Sequence, residues 1–218
     1  MENKLQVIRL SGATPYGDAH RLQLERVEAV RQKKSVNTLY LLEHSPVITL
    51  GKNADVGGVL AAPEILQKAG VAVHRIERGG QATYHCPGQL VGYPIMDLHQ
   101  LKLGVAAYVH RLEEVLIGIC GAFGVAAVRR EGLTGIFTPD GAKIGALGIR
   151  ITRGISFHGF ALNISPDLSG YNMIVPCGLT DTPMAKLAAL VEVPPSMDEV
   201  ENTAETVFRE VFGFSEIE

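Results

Sequence analysis

The stretch RGGQATYHCPGQLVGYP, residues 78–94, decides how the rest of this chain is read. Adjacent glycines at 79 and 80 let a backbone turn freely and come close to a ligand. Thr83, Tyr84 and His85 read as a short strand, Pro87-Gly88 as a turn, and Gln89 to Pro94 as a second strand. A hairpin built only for packing has no use for Arg78, His85 and Gln89 among so many glycines. Composition alone also allows a plain Gly-rich surface turn.

Further along, Lys143-Ile144-Gly145-Ala146-Leu147-Gly148 is a small-residue strand whose backbone can press against a ligand. His158-Gly159-Phe160-Ala161-Leu162-Asn163-Ile164 follows, and then Val175-Pro176-Cys177-Gly178-Leu179. In this order, and over a span from about Tyr40 to Leu179, these segments and the pattern RGG-x-x-TYH-x-PGQ-x-V-x-YP resemble the lipoyl(octanoyl) transferases. One residue departs from the pattern: Cys86 stands where the family usually has glycine.

That resemblance implies an α+β fold like the catalytic domain of biotin and lipoate protein ligases, with mixed and antiparallel sheets and flanking helices, as one domain over residues 1–218. It implies an acyltransferase that needs no cofactor. Octanoyl-acyl carrier protein is the donor, and the acceptors are lipoyl domains of 2-oxoacid dehydrogenase complexes and the glycine cleavage H protein. Cys177 and Lys143 are the implied catalytic pair. The implied substrate walls are Arg78, Gly79, Gly80, Gln81, Ala82, Thr83, Tyr84 and His85, then Ala146, Leu147 and Gly148, then His158, Gly159, Phe160 and Ala161.

Composition is consistent with such an enzyme. The chain has 218 residues, 46% hydrophobic and 20% charged, enough for a full core. A net charge of −3 exerts no general pull on nucleic acid. Arg129, Arg130, Lys143, Arg150 and Arg153 crowd one stretch, as a local acidic-partner site or a solvated strand face would. Three cysteines, Cys86, Cys120 and Cys177, are too few for a disulfide framework and form no C-x-x-C pair, so no metal site is expected. MENKLQVIRL has no apolar stretch of signal-peptide length and no run is long enough to span a membrane, so a cytoplasmic setting is expected.

Local patterns place the elements. Leu5–Leu10, 38–42 and 47–50 read as strands, and Gly17 to about Lys34 as a helix. Proline and glycine bracket a short helix over 63–70, and Val71–Ile76 is a strand leading to Arg78. Residues 104–124 carry the clearest helical stripe, with Cys120 on its buried side. Strands are expected at Val125–Val128, 134–138, 143–151 and 156–164, with Asp140-Gly141 as a hairpin signal. Residues 166–175 look irregular, and Ser196-Met197-Asp198-Glu199 is a capping box opening a helix to about Phe212. Helices outside β-α-β order point to an α+β class.

The chemistry raises two demands. A free thiol titrates near ~8.5, so a nucleophilic cysteine needs a cation beside it, the role the resemblance gives Lys143. An acceptor lysine titrates near ~10.4, so a base must take its proton, and His85 is a second candidate beside Lys143. Read without the resemblance, Cys177 is an inert thiol, Lys143 a surface lysine, and His158 a hydrogen-bonded strand-end histidine. Backbone N–H groups near Gly79, Gly80 or Gly148 are the candidates for an oxyanion site. Two rivals stay open. An ATP-dependent lipoate or biotin ligase shares the implied fold, although the chain has neither G-x-x-x-x-G-K nor G-x-G-x-x-G. A catalytically dead module that only binds acyl carrier protein is the other.

Overall fold

The computed structural model describes residues 4–54, 56–175 and 182–215. Period-two alternation is plainest in Asn37–His44, where Leu39 and Leu41 enter one apolar cluster and Tyr40 and Leu42 the opposite one. Such a strand must lie inside a sheet covered on both faces.

In chain order the elements are β1 (Leu5–Thr14), α1 (Tyr16–Arg31), β2 (Asn37–His44), β3 (Val47–Leu50), α2 (Pro63–Lys68), β4 (Ala72–Arg75), β5 (Ala82–His85) and β6 (Gln89–Ile95). They continue with α3 (Val105–Ala122), β7 (Val128–Arg130), β8 (Leu133–Phe137), β9 (Lys143–Thr152), β10 (Ile155–Asn163) and α4 (Met197–Phe212). A 7-stranded sheet runs β1-β2-β6-β10-β9-β8-β7, and a 3-stranded sheet runs β4-β3-β5. Helices α3 and α4 cover one face of the larger sheet and α1 the other. This is the mixed-sheet α+β fold expected.

Connectivity differs from expectation in one respect. β1 and β2 pair in parallel across α1, and β3 and β4 pair in parallel across α2. The chain therefore contains two β-α-β units. The second was hard to see because each of its strands is only 4 residues long.

Elsewhere the boundaries follow local chemistry. In α3 the residues Tyr108, Leu112, Val115, Leu116, Ile119 and Cys120 are fully buried, each large side chain contributing about 1.5–3 kcal/mol. Ser196 caps α4 reciprocally with Glu199, and Gly213 closes it in the left-handed conformation. The strand expected at Val125–Val128 starts only at Val128, because Val125 and Ala127 plug the core after α3 instead. Among the described residues no helix is long and apolar enough to cross a membrane.

Candidate active site

Between the two sheets lies a cavity of about 250 Å³. Thr49, Thr83 and His85 of the small sheet line one side, with Arg78, Gly80 and Gln81 at the approach. Lys143, Ala146, Leu147 and Gly148 of β9 and His158, Gly159, Phe160 and Ala161 of β10 line the other. Three of the expected wall residues do not reach it. Strand alternation sends Ala82 and Tyr84 into a separate apolar cluster with Ile48 and Tyr171. Gly79 donates its N–H to the Ile149 carbonyl at 2.9 Å, which removes it as an oxyanion donor. Cys86 also joins the separate cluster, and burial pushes its thiol up to about 11.

Arg78 is 8% exposed and fixed by its fork. Its Nε lies 3.2 Å from Thr49 Oγ1, its Nη2 donates to the Thr49 carbonyl at 2.6 Å, and its Nη1 to the Gly79 carbonyl at 2.9 Å. Gly148 makes this placement possible: a Cβ there would stand 2.9 Å from Arg78 Cδ.

Lys143 departs from the surface default, with 3% exposure. Nζ donates to the Thr134 carbonyl at 3.0 Å and sits 5.3 Å from the centroid of Phe137. A register shift between Ile136 and Phe137, and Gly135 at φ 117, turn the Thr134 carbonyl toward the amine. Glu113 of α3, itself buried, holds that bend by accepting the Gly135 N–H at 2.9 Å, and Arg129 braces Glu113 at 3.1 Å. A carbonyl and an aromatic face are the surroundings in which a lysine amine can be accommodated inside.

The opposite side is a cluster of rings. His44 pairs through Nε2 with Tyr93 Oη at 2.6 Å and through Nδ1 with the Thr14 carbonyl at 2.8 Å. Burial pushes it down to about 4. His85 pairs through Nδ1 with Gln89 Oε1 at 2.6 Å, while Gln89 Nε2 donates to Asn163 Oδ1 at 2.9 Å. That orientation of Gln89 puts the His85 proton on Nδ1. Burial, with help from His44 and Arg78, takes His85 down to about 3. So weakly basic a ring stays neutral and donates its Nδ1 proton to Gln89, which counts against His85 as the base.

His158 is 2% exposed and has a left-handed backbone, φ 55, inside β10. Across the sheet Pro94 offers no N–H, and Gly159 sits so close that a Cβ would stand 2.1 Å from the Gly92 carbonyl. The His158 N–H is taken instead by Gln23 Oε1 of α1 at 2.8 Å. Its Nε2 makes no hydrogen bond, an omission worth about 1–3 kcal/mol for a buried polar atom. Glu77 Oε2 is 3.9 Å away, and Glu77 Oε1 meets His20 Nε2 at 3.1 Å. Burial lowers the His158 pKa, so the ring is neutral. His20, Glu77 and His158 thus gather where the sequence had suggested no metal site.

The cations crowded in sequence do not form one patch. Lys143 is internal, Arg129 braces Glu113, and Arg153 stands at the far hairpin, about 30 Å of strand from Lys143. Cys177, with Pro176, Gly178 and Leu179, lies outside the described residues. Site residues that sequence reading missed include Tyr16, Thr49, Tyr93, Glu77 and Glu113. Tyr93 stood inside the 78–94 motif and Glu77 beside Arg78, while the other three carried no local signal.

A fold of this type with a cavity walled by β9 and β10 defines a class, and comparison agrees. Residues 15–209 match the family described as the lipoyl protein ligase A/B catalytic domain. The chain is 48% identical to an octanoyltransferase of Koribacter versatilis over 84% of its length and 74% of that protein's. It is 44% identical to one of Acidobacterium capsulatum, covering 93% and 88%. Among solved structures it resembles a bipartite lipoate protein ligase of Thermoplasma acidophilum, TM-score 0.75 at 21% identity, covering 100% and 86%. It also resembles an ATP-bound lipoate-protein ligase A, TM-score 0.73 at 19% identity, covering 100% and 88%. The chain belongs to the lipoyl protein ligase A/B catalytic family and, within it, to the octanoyltransferases.

Proposed function

We propose that this enzyme moves an octanoyl group from the thioester of an acyl carrier protein to a lysine of a lipoyl domain, through a thioester on Cys177. The observation that carries this reading is a buried lysine, Lys143, on the wall of a cavity whose other lining includes Leu147 and Phe160. Residues 176–181 are flanked by two anchors. Val175 N–H bonds the Gly58 carbonyl at 3.0 Å, and the Lys143 N–H bonds the Pro183 carbonyl at 2.8 Å. Pro183, six residues after Cys177, is thus hydrogen-bonded to the backbone of Lys143, which supports pairing thiol and amine.

In this reading Lys143 stabilises the Cys177 thiolate, which attacks the octanoyl carbonyl; the carrier's thiol leaves with a proton. Lys143, having given its proton to that thiol, takes one from the acceptor lysine as the amine attacks the acyl-enzyme; the amide leaves, Cys177 regains its thiolate, and the amine's second proton passes to solvent. Lys143 is the proton carrier, since His85 is too weak a base. The acyl chain packs on Leu147 and Phe160, where burying about six methylenes at ~0.8 kcal/mol each gives at most ~5 kcal/mol. Acceptors of this chemistry are lipoyl domains of 2-oxoacid dehydrogenase complexes and the glycine cleavage H protein. A cytoplasmic setting belongs to the same reading, because it keeps the thiol reduced; Cys86 and Cys120 are free thiols.

The experiment is transfer from octanoyl-acyl carrier protein to a lipoyl domain, with and without ATP. Equal rates are expected. Strict dependence on ATP and free octanoate would instead make the chain a ligase.

A further inference from the structure

We infer that His20, Glu77 and His158 form a binding site for a first-row divalent cation, with Zn²⁺ the best match. The three come from separate elements: α1, the turn before Arg78, and β10. One ligand atom from each lies within 4.8 Å of the others. Tetrahedral Zn²⁺ at bond lengths of about 2.0–2.2 Å needs its ligands roughly 3.3 Å apart, so small side-chain shifts suffice.

Two observations make this more than a chance cluster. His158 Nε2 is buried and without a hydrogen-bond partner, and the nearest charged atom to it in an ion pair is Glu77 Oε2 at 3.9 Å. On the other edge of the ring, Nδ1 lies 3.5 Å from Tyr16 Oη. A proton on Nδ1, pointed at that hydroxyl, leaves the Nε2 lone pair for a metal, the usual outer-shell arrangement for a ligating histidine. The His158 ring is held by Phe157, 4.7 Å between centroids. The His20 and His158 rings lie nearly parallel, 9° apart, so the turn needed for coordination falls to partly exposed His20.

The donor set selects the ion. Two imidazoles and one carboxylate suit Zn²⁺ and its neighbours, whereas Mg²⁺ and Ca²⁺ prefer all-oxygen ligands. Three protein ligands leave a fourth position for water or another ligand, and His158 also belongs to the cavity lining. Glu77, with 35% side-chain exposure, marks the entry from solvent. No spacing rule finds such a set, because the ligands are far apart in sequence. The site stands independently of the acyl-transfer reading.

The test uses full-length protein stripped by a chelator and titrated with Zn²⁺ alone against a chromophoric competitor. Wild type is expected to bind one equivalent, and His20→Ala and Glu77→Gln at least tenfold more weakly, with unchanged melting in the metal-free state. Should His20→Ala lower that melting, His20→Gln keeps the helix surface and gives the same readout. Co²⁺ in place of Zn²⁺ is expected to show visible ligand-field bands without a thiolate charge-transfer band. Equal affinity in the variants, a thiolate band, or no stoichiometric uptake overturns the site.

Discussion

The two sides of the cavity treat charge in opposite ways. At the β8–β9 corner, the Thr134 carbonyl and the Phe137 ring surround the buried amine of Lys143. Across from it, His44 and His85 are packed so that burial strips them of charge, down to about 4 and about 3. Each histidine has a single carbonyl-type acceptor, Thr14 for His44 and Gln89 for His85, and burial outweighs it. Among the described residues the cavity thus sets a buried amine at one corner against imidazoles held neutral by burial.

The largest expected effect comes from deleting that amine. Lys143→Ala should slow single-turnover octanoyl transfer by about 10²–10⁴-fold, the range for a lost acid-base group, with circular dichroism unchanged. A near-normal rate would show that the two sides do not divide the work in this way.

Next in size is the packing that lets β10 pass the ring cluster. In Gly159→Ala the new Cβ would meet the Gly92 carbonyl at 2.1 Å and Pro94 Cδ at 2.6 Å. Strain of this kind costs about 1–3 kcal/mol, read as a lower denaturant midpoint. An unchanged midpoint would mean that β6 and β10 can separate without loss.

A pH series sharpens the comparison from the histidine side. Unfolded imidazole titrates near ~6.5, so below that pH the unfolded chain takes up protons that folded His44 and His85 refuse. Stability is then flat above ~6.5 and falls as pH drops toward about 4, where folded His44 titrates, and on toward about 3 for His85. The slope from each group approaches ~1.4 kcal/mol per pH unit. His44→Gln should make the decline shallower, and a slope equal to wild type would show that His44 is not held neutral.

The smallest effect is expected at Cys86. It lies in the cluster with Ile48 and Tyr171, away from the cavity lining, so Cys86→Ala should leave transfer rates within about twofold and lower stability by roughly 1 kcal/mol. A large rate loss would return Cys86 to the site.

How much of this could be read in the sequence depended on where the signal was stored. Motifs contiguous in the chain, such as RGG at 78–80, KIGALG at 143–148 and HGFA at 158–161, marked most of the cavity wall before any fold was known. The α3 stripe and the Ser196 capping box were legible for the same reason, since both are local patterns. Tyr16 and Glu113 were not legible, and Glu77 only as a neighbour of Arg78: their partners His158, Gly135 and His20 lie 142, 22 and 57 residues away. Gly79, Ala82 and Tyr84 were assigned to the wall because a motif does not say which face alternate residues take. The parallel pairing of β3 with β4 was hidden by strands too short to show a period.

The central claim is that acyl transfer passes through Cys177, and the most direct measurement is the mass of the enzyme mixed with octanoyl-acyl carrier protein and no acceptor, followed by peptide mapping. The account predicts one octanoyl group on the peptide carrying Cys177, absent in Cys177→Ser and discharged when a lipoyl domain is added. An unmodified enzyme that still transfers, or an adduct carried by Cys86, contradicts it.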